Sequence, residues 1–224
     1  MGSRTVALVP LRSPGAGKTR LAPALTPDQR AALAGAMLAD VTRVLVAAEV
    51  DEVVVAAGGS AAAAAGAALG VGVVLDPHGT RSLDGALQAA AAQIGPADQL
   101  LVVAADLPRL TAEEVLAVLA ADASVVIAPT AGGGTGGLLR RPPAVVATAF
   151  GRASAARHRR LARQAGVTWA MIDTPGFRHD VDTWTDLVAL HDVILGPTTA
   201  SVLPTLLGPL SASGGSPGTA DTSA

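Results

Sequence analysis

Short apolar runs alternate with helical stretches along the first 130 residues of the chain. The runs at 5–10, 99–105 and 124–129 are apolar without the polar alternation of a half-exposed strand. Strands that are apolar on both faces are buried on both faces, which is typical of parallel sheets covered by helices. The pattern therefore predicts an α/β fold with a mostly parallel sheet.

The remaining elements follow from the same periodicity and from helix start signals. Further strands are predicted at 52–57, 72–75 and 167–172, and helices at 27–47, from 60 onward, at 83–93 and at 153–165. Capping boxes begin with Thr26 and Thr111, and Thr183 is expected to cap a last helix that ends near residue 195. A chain of 224 residues is expected to form one domain, residues 1–210, followed by a disordered Ser- and Gly-rich tail, residues 211–224.

Charge and composition exclude several classes of protein. The net charge of -2 argues against nucleic-acid binding, and the absence of cysteine excludes disulfides and cysteine metal sites. Residues 53–75 are uncharged and long enough to cross a bilayer, but Gly58, Gly59 and Ser60 interrupt them, which favours strand, helix and strand. No basic region followed by a long apolar run begins the chain, so a cytoplasmic protein with no membrane partner is expected.

Lys18, the single lysine of the chain, follows the first strand in the stretch LRSPGAGKTRL. Gly15 and Gly17 would leave backbone N–H groups free to face an anion, and Lys18 and Arg20 would add positive charge. A P-loop also requires a glycine where Arg12 stands, so the P-loop motif fails. A flexible basic surface loop is the alternative, but the place of the only lysine favours phosphate binding.

Three aspartates are candidates for a metal site. Asp106 ends the strand at 99–105, and ligands of open α/β sheets bind at the carboxyl ends of strands, where a carboxylate often holds Mg²⁺. Asp180 and Asp182 would point the same way on an extended segment and could join Asp106. The alternatives are a turn role for Asp106 and a helix-capping role for Asp182 together with Thr183.

A glycine-rich stretch at 132–137, which contains Thr135, precedes a basic helix at 153–165. Seven arginines lie between Arg140 and Arg163, but no aromatic side chains alternate with them as in nucleic-acid sites. A small anionic substrate at the start of this helix fits better, with Ser154 and free backbone amides facing it. Three of the arginines could instead form a solvated face: Arg159, Arg160 and Arg163.

The segment from Asp76 to Leu87 joins a strand end to a helix at the same sheet edge as Lys18. His78 in this segment could act as a general base. A phosphate nucleophile is already ionised and needs no base, so a structural role is expected for His78.

Five segments together resemble the guanylyltransferases of coenzyme F-420 biosynthesis over residues 5–200. They are K-x-R-L-A-P at 18–23, D-L-P at 106–108, G-T-G at 134–136, F-G-x-x-S-x-x-R-H at 150–158 and D-V-D-T-x-x-D-L at 180–187. That family makes the guanylyl-diphosphate precursor of the deazaflavin coenzyme, from 2-phospho-L-lactate in archaea and phosphoenolpyruvate in actinobacteria. The resemblance implies a Rossmann-like three-layer sandwich of the nucleotide-diphospho-sugar transferase type.

The resemblance also implies roles for individual residues. Substrate contacts fall on Thr135, Gly151 and Ser154, and the Mg²⁺ ligands on Asp106, Asp180 and Asp182. Lys18 and Arg20 would be catalytic. Nucleotide contacts would come from Gly15, Gly17, Lys18, Gly79 and Asp84. Two positions depart from the family pattern: Asp84 stands where many relatives carry Asn, and Gly137 where they often carry Thr or Ser.

The implied reaction is metal-assisted nucleotidyl transfer between GTP and a small phosphorylated carboxylic acid. A phosphate oxygen of phosphoenolpyruvate would attack the α-phosphorus of GTP, and pyrophosphate would leave. A downstream transferase of the same pathway would then use the guanylyl-diphosphate product. The Ala- and Arg-rich composition is typical of a high-GC actinobacterium and favours phosphoenolpyruvate. The alternatives are 2-phospho-L-lactate or 3-phosphoglycerate as substrate, a molybdopterin nucleotidyltransferase, and a non-catalytic nucleotide-binding protein.

Overall fold

The computed structural model of the chain describes residues 3–12, 18–75 and 82–208. In these residues one seven-stranded sheet has the order β3-β2-β1-β4-β6-β5-β7. The strands are β1 Thr5–Leu11, β2 Glu52–Ala57, β3 Gly72–Leu75, β4 Gln99–Val103, β5 Val125–Pro129, β6 Thr135–Arg140 and β7 Trp169–Met171. The predicted α/β fold with a mostly parallel sheet is confirmed, because every neighbouring pair except those made by β6 is parallel.

Strand β6 lies antiparallel between β4 and β5, and the sequence did not predict it. Its glycines weaken the strand signal, but they are required by packing against Phe177, which is fully buried. A Cβ atom on Gly136 would lie 2.8 Å from the carbonyl oxygen of Phe177, and one on Gly137 would lie 2.7 Å from its ring. Half of the glycine-rich stretch is therefore a core strand.

Eight helices occur in the described residues, and three of them begin as the capping signals predicted. They are α1 Pro27–Ala47, α2 Ser60–Ala68, α3 Leu83–Ala91, α4 Ala112–Ala120, α5 Ser154–Gln164, α6 Pro175–Arg178, α7 Trp184–Val188 and α8 Pro197–Leu207. Thr26, Thr111 and Thr183 each accept a hydrogen bond from the third residue of their helix. The single last helix predicted to end near 195 was wrong, because α7 stops at Val188 and α8 starts anew at Pro197.

Helices cover both faces of the sheet, as the apolar strands predicted. One core lies under α1, α2, α4 and α6 and contains Val9, Val55 and Leu101, all fully buried. The opposite core lies under α3 and α5 and contains Leu8 and Leu100. Residues 53–75 form strand, helix and strand, and no helix of the described ranges is long and apolar enough to cross a membrane.

A third apolar cluster holds together the segments that carry the candidate site. It contains Leu21 after β1, Met37 of α1, Val181 before α7 and Leu206 of α8. Burying apolar surface contributes roughly 25 cal/mol per Å². This cluster therefore anchors the chain just after Lys18 and between Asp180 and Asp182.

Candidate functional site

Lys18 lies between two of the predicted aspartates at the carboxyl edge of the sheet. Its Nζ donates hydrogen bonds to Asp106, which follows β4, and to Asp182 Oδ1 at 3.0 Å. The Lys18 side chain is 12% exposed, so both ion pairs are partly shielded from water. The structure thus brings together residues that the sequence places 88 and 164 positions apart.

The backbone of Lys18 is left-handed, with φ 53° and ψ 42°. This conformation costs a non-glycine residue about 1–2 kcal/mol, and such costs concentrate at functional sites. A short 3-10 turn, Thr19–Leu21, follows and anchors the buried Leu21. The strained backbone is therefore held by the packing of the next turn.

Lys18 stays protonated in this arrangement. Burial alone lowers the pKa of its ammonium group, but the charges of Asp106 and Asp182 and the hydrogen bonds to both outweigh burial and raise that pKa above its ordinary value. A positive charge therefore lies between two carboxylates at the carboxyl edge of the sheet.

Asp180 completes a cluster of negative charge on the same segment. Burial, reinforced by the charges of Asp106 and Asp182, raises the pKa of Asp180 to about 6. The amide of Val181, which is buried, donates to the Asp106 carbonyl at 3.2 Å and so joins this segment to the end of β4. Thr183, and not Asp182, caps α7, which leaves the Asp182 carboxylate free to pair with Lys18.

The carboxylate oxygens of Asp106, Asp180 and Asp182 are of the kind that Mg²⁺ prefers as ligands. In the described part of the chain, however, no three acidic or histidine side chains are arranged to hold a metal ion together. Lys18 instead bridges Asp106 and Asp182. The assignment of Asp106, Asp180 and Asp182 as Mg²⁺ ligands therefore stays a prediction, and a bound cation would compete with the Lys18 ammonium group.

The other residues predicted around the nucleotide are placed less fully. Arg20 lies in the 3-10 turn next to Lys18 and is exposed. Gly15, Gly17 and Gly79 fall outside the described residues, as does His78. The roles predicted for these residues remain predictions.

A second polar cluster joins β6 to α5. Thr135 Oγ1 lies 2.9 Å from Ser154 Oγ and 3.0 Å from His158 Nδ1. All three side chains are buried, with His158 fully so. Two of the residues predicted to bind substrate, Thr135 and Ser154, are therefore in direct contact.

Gly151, the third predicted substrate residue, shapes the turn before α5. Its φ is 105°, which favours glycine, and Ala153 is left-handed with φ 53°. The amide of Ser154 donates to the Gly151 carbonyl at 3.1 Å, and the amide of Ala155 donates to the Gly133 carbonyl at 3.3 Å. The expectation of free amides here was wrong for these two groups, because carbonyls of the preceding turns occupy them.

Asp84 contacts the turn that precedes α5. It lies in the first turn of α3, which Ser82 caps, and its Oδ1 accepts from the amide of Phe150 at 2.9 Å. Asp84 thereby links the start of α3 to the turn that contains Gly151. Its predicted contact with the nucleotide remains a prediction.

His158 is the residue that reasoning from the sequence missed. Its Nε2 accepts from the amide of Ala149 at 2.9 Å, and the Phe150 ring packs edge-on against it at 5.0 Å between centroids. Burial lowers the pKa of His158 to about 4, opposed by the charge of Asp84 and reinforced by Arg140 and Arg157. The available signal was the spacing from Ser154 to His158, which places both on one helix face.

Outside this cluster, α5 presents exposed basic side chains. Arg159, Arg160 and Arg163 all lie on its exposed surface. Arg157 is partly buried instead. Its Nη2 atom donates to the Phe150 carbonyl at 2.7 Å and supports the turn before α5.

Comparisons with known proteins bear on this arrangement. Residues 5–201 match the family described as "Guanylyl transferase CofC like". The chain is 36% identical to a 2-phospho-L-lactate guanylyltransferase of Methanothermobacter thermautotrophicus, covering 84% of this chain and 85% of the relative. It is 35% identical to a phosphoenolpyruvate guanylyltransferase of Sphaerobacter thermophilus (83% and 92%) and 36% identical to one of Nocardia farcinica (88% and 89%).

Solved structures resemble the fold at lower identity. A protein of Desulfovibrio desulfuricans G20, assigned provisionally as a nucleotide-diphospho-sugar transferase, matches with a TM-score of 0.72 and 19% identity, covering 92% of this chain and 99% of that one. A CMP:2-keto-3-deoxy-manno-octonic acid synthetase complexed with CTP matches with a TM-score of 0.57 and 17% identity, covering 84% and 97%. These likenesses confirm the predicted nucleotide-diphospho-sugar transferase type of fold.

Proposed function

Since the chain belongs to the CofC-like guanylyltransferase family and is therefore a nucleotidyltransferase, we propose that it transfers the guanylyl group of GTP to phosphoenolpyruvate in coenzyme F-420 biosynthesis. The products would be enolpyruvoyl-2-diphospho-5'-guanosine and pyrophosphate. A downstream transferase of the same pathway would then consume the guanylyl-diphosphate product.

One observation of the structure carries this proposal: the contact of Lys18 with Asp106 and Asp182 at the carboxyl edge of the sheet. Ligands of open α/β sheets bind at this edge. An ammonium group next to a set of carboxylates can supply both a cation for phosphate oxygens and oxygen ligands for a metal ion.

The transfer needs positioning and charge more than covalent chemistry from the protein. A phosphate oxygen of phosphoenolpyruvate forms a bond to the α-phosphorus of GTP, while the bond from that phosphorus to the bridging oxygen breaks and pyrophosphate leaves. The attacking phosphate is already ionised, so no general base is required. Lys18, together with Arg20, would offset the negative charge that gathers on the phosphates.

Mg²⁺, when bound by Asp106, Asp180 and Asp182, would neutralise charge on the phosphate oxygens and orient them. The Lys18 ammonium group would have to leave at least one of these carboxylates and turn toward the phosphates. Its four-carbon side chain is flexible enough for such a movement.

The phosphorylated acid would be bound by Thr135, Ser154 and the turn at Gly151. The hydroxyl groups of Thr135 and Ser154 can donate to phosphate or carboxylate oxygens. Curated relatives at about the same identity act, by their names, on phosphoenolpyruvate or on 2-phospho-L-lactate. Phosphoenolpyruvate is proposed here because of the bacterial relatives and the Ala- and Arg-rich composition; 2-phospho-L-lactate and 3-phosphoglycerate are the alternatives.

Pyrophosphate release tests the proposal. The protein is assayed with Mg²⁺ and GTP, ATP or CTP, each combined with phosphoenolpyruvate, 2-phospho-L-lactate, 3-phosphoglycerate or a hexose phosphate. Release is expected with GTP and phosphoenolpyruvate, and mass spectrometry should find the guanylyl diphosphate of the acid. Release only with a hexose phosphate would refute the proposed function, and GTP binding with no release under any substrate would indicate a non-catalytic protein.

A further inference from the structure

The buried group formed by Thr135, Ser154 and His158 has a hydrogen-bond direction that the backbone fixes. The amide of Ala149 can only donate, and it points at His158 Nε2 from 2.9 Å. Nε2 must therefore carry a lone pair, and in a neutral imidazole the hydrogen is then on Nδ1. That hydrogen is donated to Thr135 Oγ1 at 3.0 Å.

The direction of these hydrogen bonds determines whether a hydroxyl hydrogen is left over. The group holds three polar hydrogens, one on Nδ1 of His158 and one on each hydroxyl. It has two internal contacts, His158 to Thr135 and Thr135 to Ser154. One hydroxyl hydrogen is therefore left over, and within the described residues no further hydrogen bond of either hydroxyl uses it.

The other tautomer would give the opposite result. With the hydrogen on Nε2, Nδ1 would accept from Thr135, and the two hydroxyl hydrogens would be used up by the two internal contacts. The pair would then offer only lone pairs, which repel the oxygens of phosphate and carboxylate groups. The Ala149 amide thus decides whether the hydroxyl pair can favour an anion.

We propose that neutral His158 is a positioning residue that makes the Thr135–Ser154 hydroxyl pair a net hydrogen-bond donor to the phosphorylated acid. This inference rests on the proposed function, in which those hydroxyls contact the acid. The orientation of the imidazole ring is held by the Ala149 amide, by the edge contact with Phe150 and by the donation to Thr135.

Two substitutions separate this role from a structural one. In His158→Asn the side-chain amide nitrogen takes the place of Nδ1 and can still donate to Thr135, but the Ala149 amide loses its partner. In His158→Gln the side-chain oxygen can replace Nε2 and accept from Ala149, but the donor to Thr135 is lost. If His158 had only a structural role, the two substitutions would weaken substrate binding equally, or His158→Gln would weaken it less than His158→Asn.

The proposal predicts that only His158→Gln weakens the binding of phosphoenolpyruvate. His158→Gln should raise the KM for phosphoenolpyruvate by roughly tenfold to a hundredfold, which corresponds to a lost hydrogen bond to a charged group. The KM for GTP should change by less than about threefold, within the range of a remote substitution. His158→Asn should leave the KM for phosphoenolpyruvate within about threefold of wild type, even where its thermal stability is lower.

A double-mutant cycle tests the path through Thr135. In a Thr135→Val background, His158→Gln should raise the KM for phosphoenolpyruvate no further, because the group it acts through is gone. A further rise of tenfold or more would show that His158 acts by another route and would overturn the proposal. Equal KM increases in the His158→Asn and His158→Gln single variants would also overturn it.

NMR of the imidazole nitrogens in the wild-type protein gives a readout that needs neither activity nor folded variants. The chain has four histidines, so the His158 signals can be assigned. The Nδ1–H tautomer at neutral pH is expected, and the Nε2–H tautomer would overturn the proposal. If the wild-type protein does not turn over phosphoenolpyruvate, the proposed function fails, whereas the tautomer still decides the orientation of this hydrogen-bonded group.

Discussion

Lys18 Nζ donates a hydrogen bond to Asp182 Oδ1 at 3.0 Å, although the two residues lie 164 positions apart in the chain. The contact joins the segment after the first strand to the segment before α7. Both segments are anchored by the same apolar cluster, through Leu21 on one side and Val181 on the other. The partly shielded ion pair is thus positioned by residues of one apolar cluster.

Replacement of Lys18 by alanine is expected to remove most activity. The loss should be about 10²–10³-fold in kcat, the usual size for a group that stabilises charge in the transition state. The fold should persist, because Leu21 and the third apolar cluster remain. Pyrophosphate release measures the activity, and circular dichroism the fold.

The matched control for this substitution is Arg163→Ala, which removes one exposed positive charge from α5. It should leave turnover within about twofold of wild type, as surface substitutions usually do. Wild-type turnover in Lys18→Ala would contradict the assignment of Lys18 to the reaction.

Removal of divalent metal is expected to stop the reaction reversibly. A chelator should reduce pyrophosphate release to background, and added Mg²⁺ should restore it. Asp182→Asn should require a higher Mg²⁺ concentration for half-maximal rate, because one proposed ligand loses its charge. Full activity in the presence of excess chelator would refute the metal assignment.

The sequence predicts that Lys18 and Asp106 lie at one edge of the sheet, because both follow strands. Asp106 ends an apolar strand, and Lys18 follows another, so the topology of a parallel sheet alone places them at one edge. Asp180 and Asp182 lie on either side of an apolar residue, Val181, which packs inward. These patterns indicate where the residues lie, whereas the contacts of Lys18 with Asp106 and Asp182 come from the fold.

Other features depend on contacts between different segments of the chain. Strand β6 contains glycines because Phe177, about 40 positions later in the sequence, fills the space of their side chains. His158 acquires its contacts from Ala149 and from Thr135, which belong to different segments. Contacts between separate segments cannot be predicted from periodicity, because the sequence around each residue does not indicate which other segment it will meet.

Gly136→Ala is expected to destabilise the protein by about 1–3 kcal/mol, the usual cost of overpacking a core. The new Cβ atom would lie 2.8 Å from the backbone carbonyl oxygen of Phe177, which cannot move without displacing α6. Gly35→Ala in α1 is the control, because its Cβ atom meets nothing within 4 Å. That control should be neutral or stabilising by up to about 1 kcal/mol, and equal effects in urea unfolding would contradict the packing argument.

Asp40→Ala is expected to cost about 2–4 kcal/mol of unfolding free energy, because it leaves buried amides without an acceptor. The Asp40 carboxylate accepts from the amides of Thr198 at 3.0 Å and Thr199 at 2.7 Å at the start of α8. Asp192→Ala is the control, since the Asp192 side chain is 92% exposed and only pairs with His191. A loss for Asp40→Ala no larger than for Asp192→Ala would show that α8 is held without this contact.

The low pKa of His158 makes the free energy of unfolding depend on pH. Burial keeps the pKa of His158 at about 4 in the folded protein, whereas a histidine in the unfolded chain titrates near 6.5. Well above pH 6.5 the His158 imidazole is neutral in both the folded and the unfolded protein, so it does not change the free energy of unfolding. As the pH falls toward 4, the unfolded state binds a proton that the folded state does not, so stability declines.

The size of this effect can be isolated with His158→Gln, which has no group that titrates in this range. Between pH 7.5 and pH 5 the wild-type protein should lose about 2 kcal/mol more of its unfolding free energy than the variant does. Urea unfolding at the two pH values measures both losses. Parallel losses in wild type and variant would mean that folding does not lower the pKa of His158, which would contradict the burial argument.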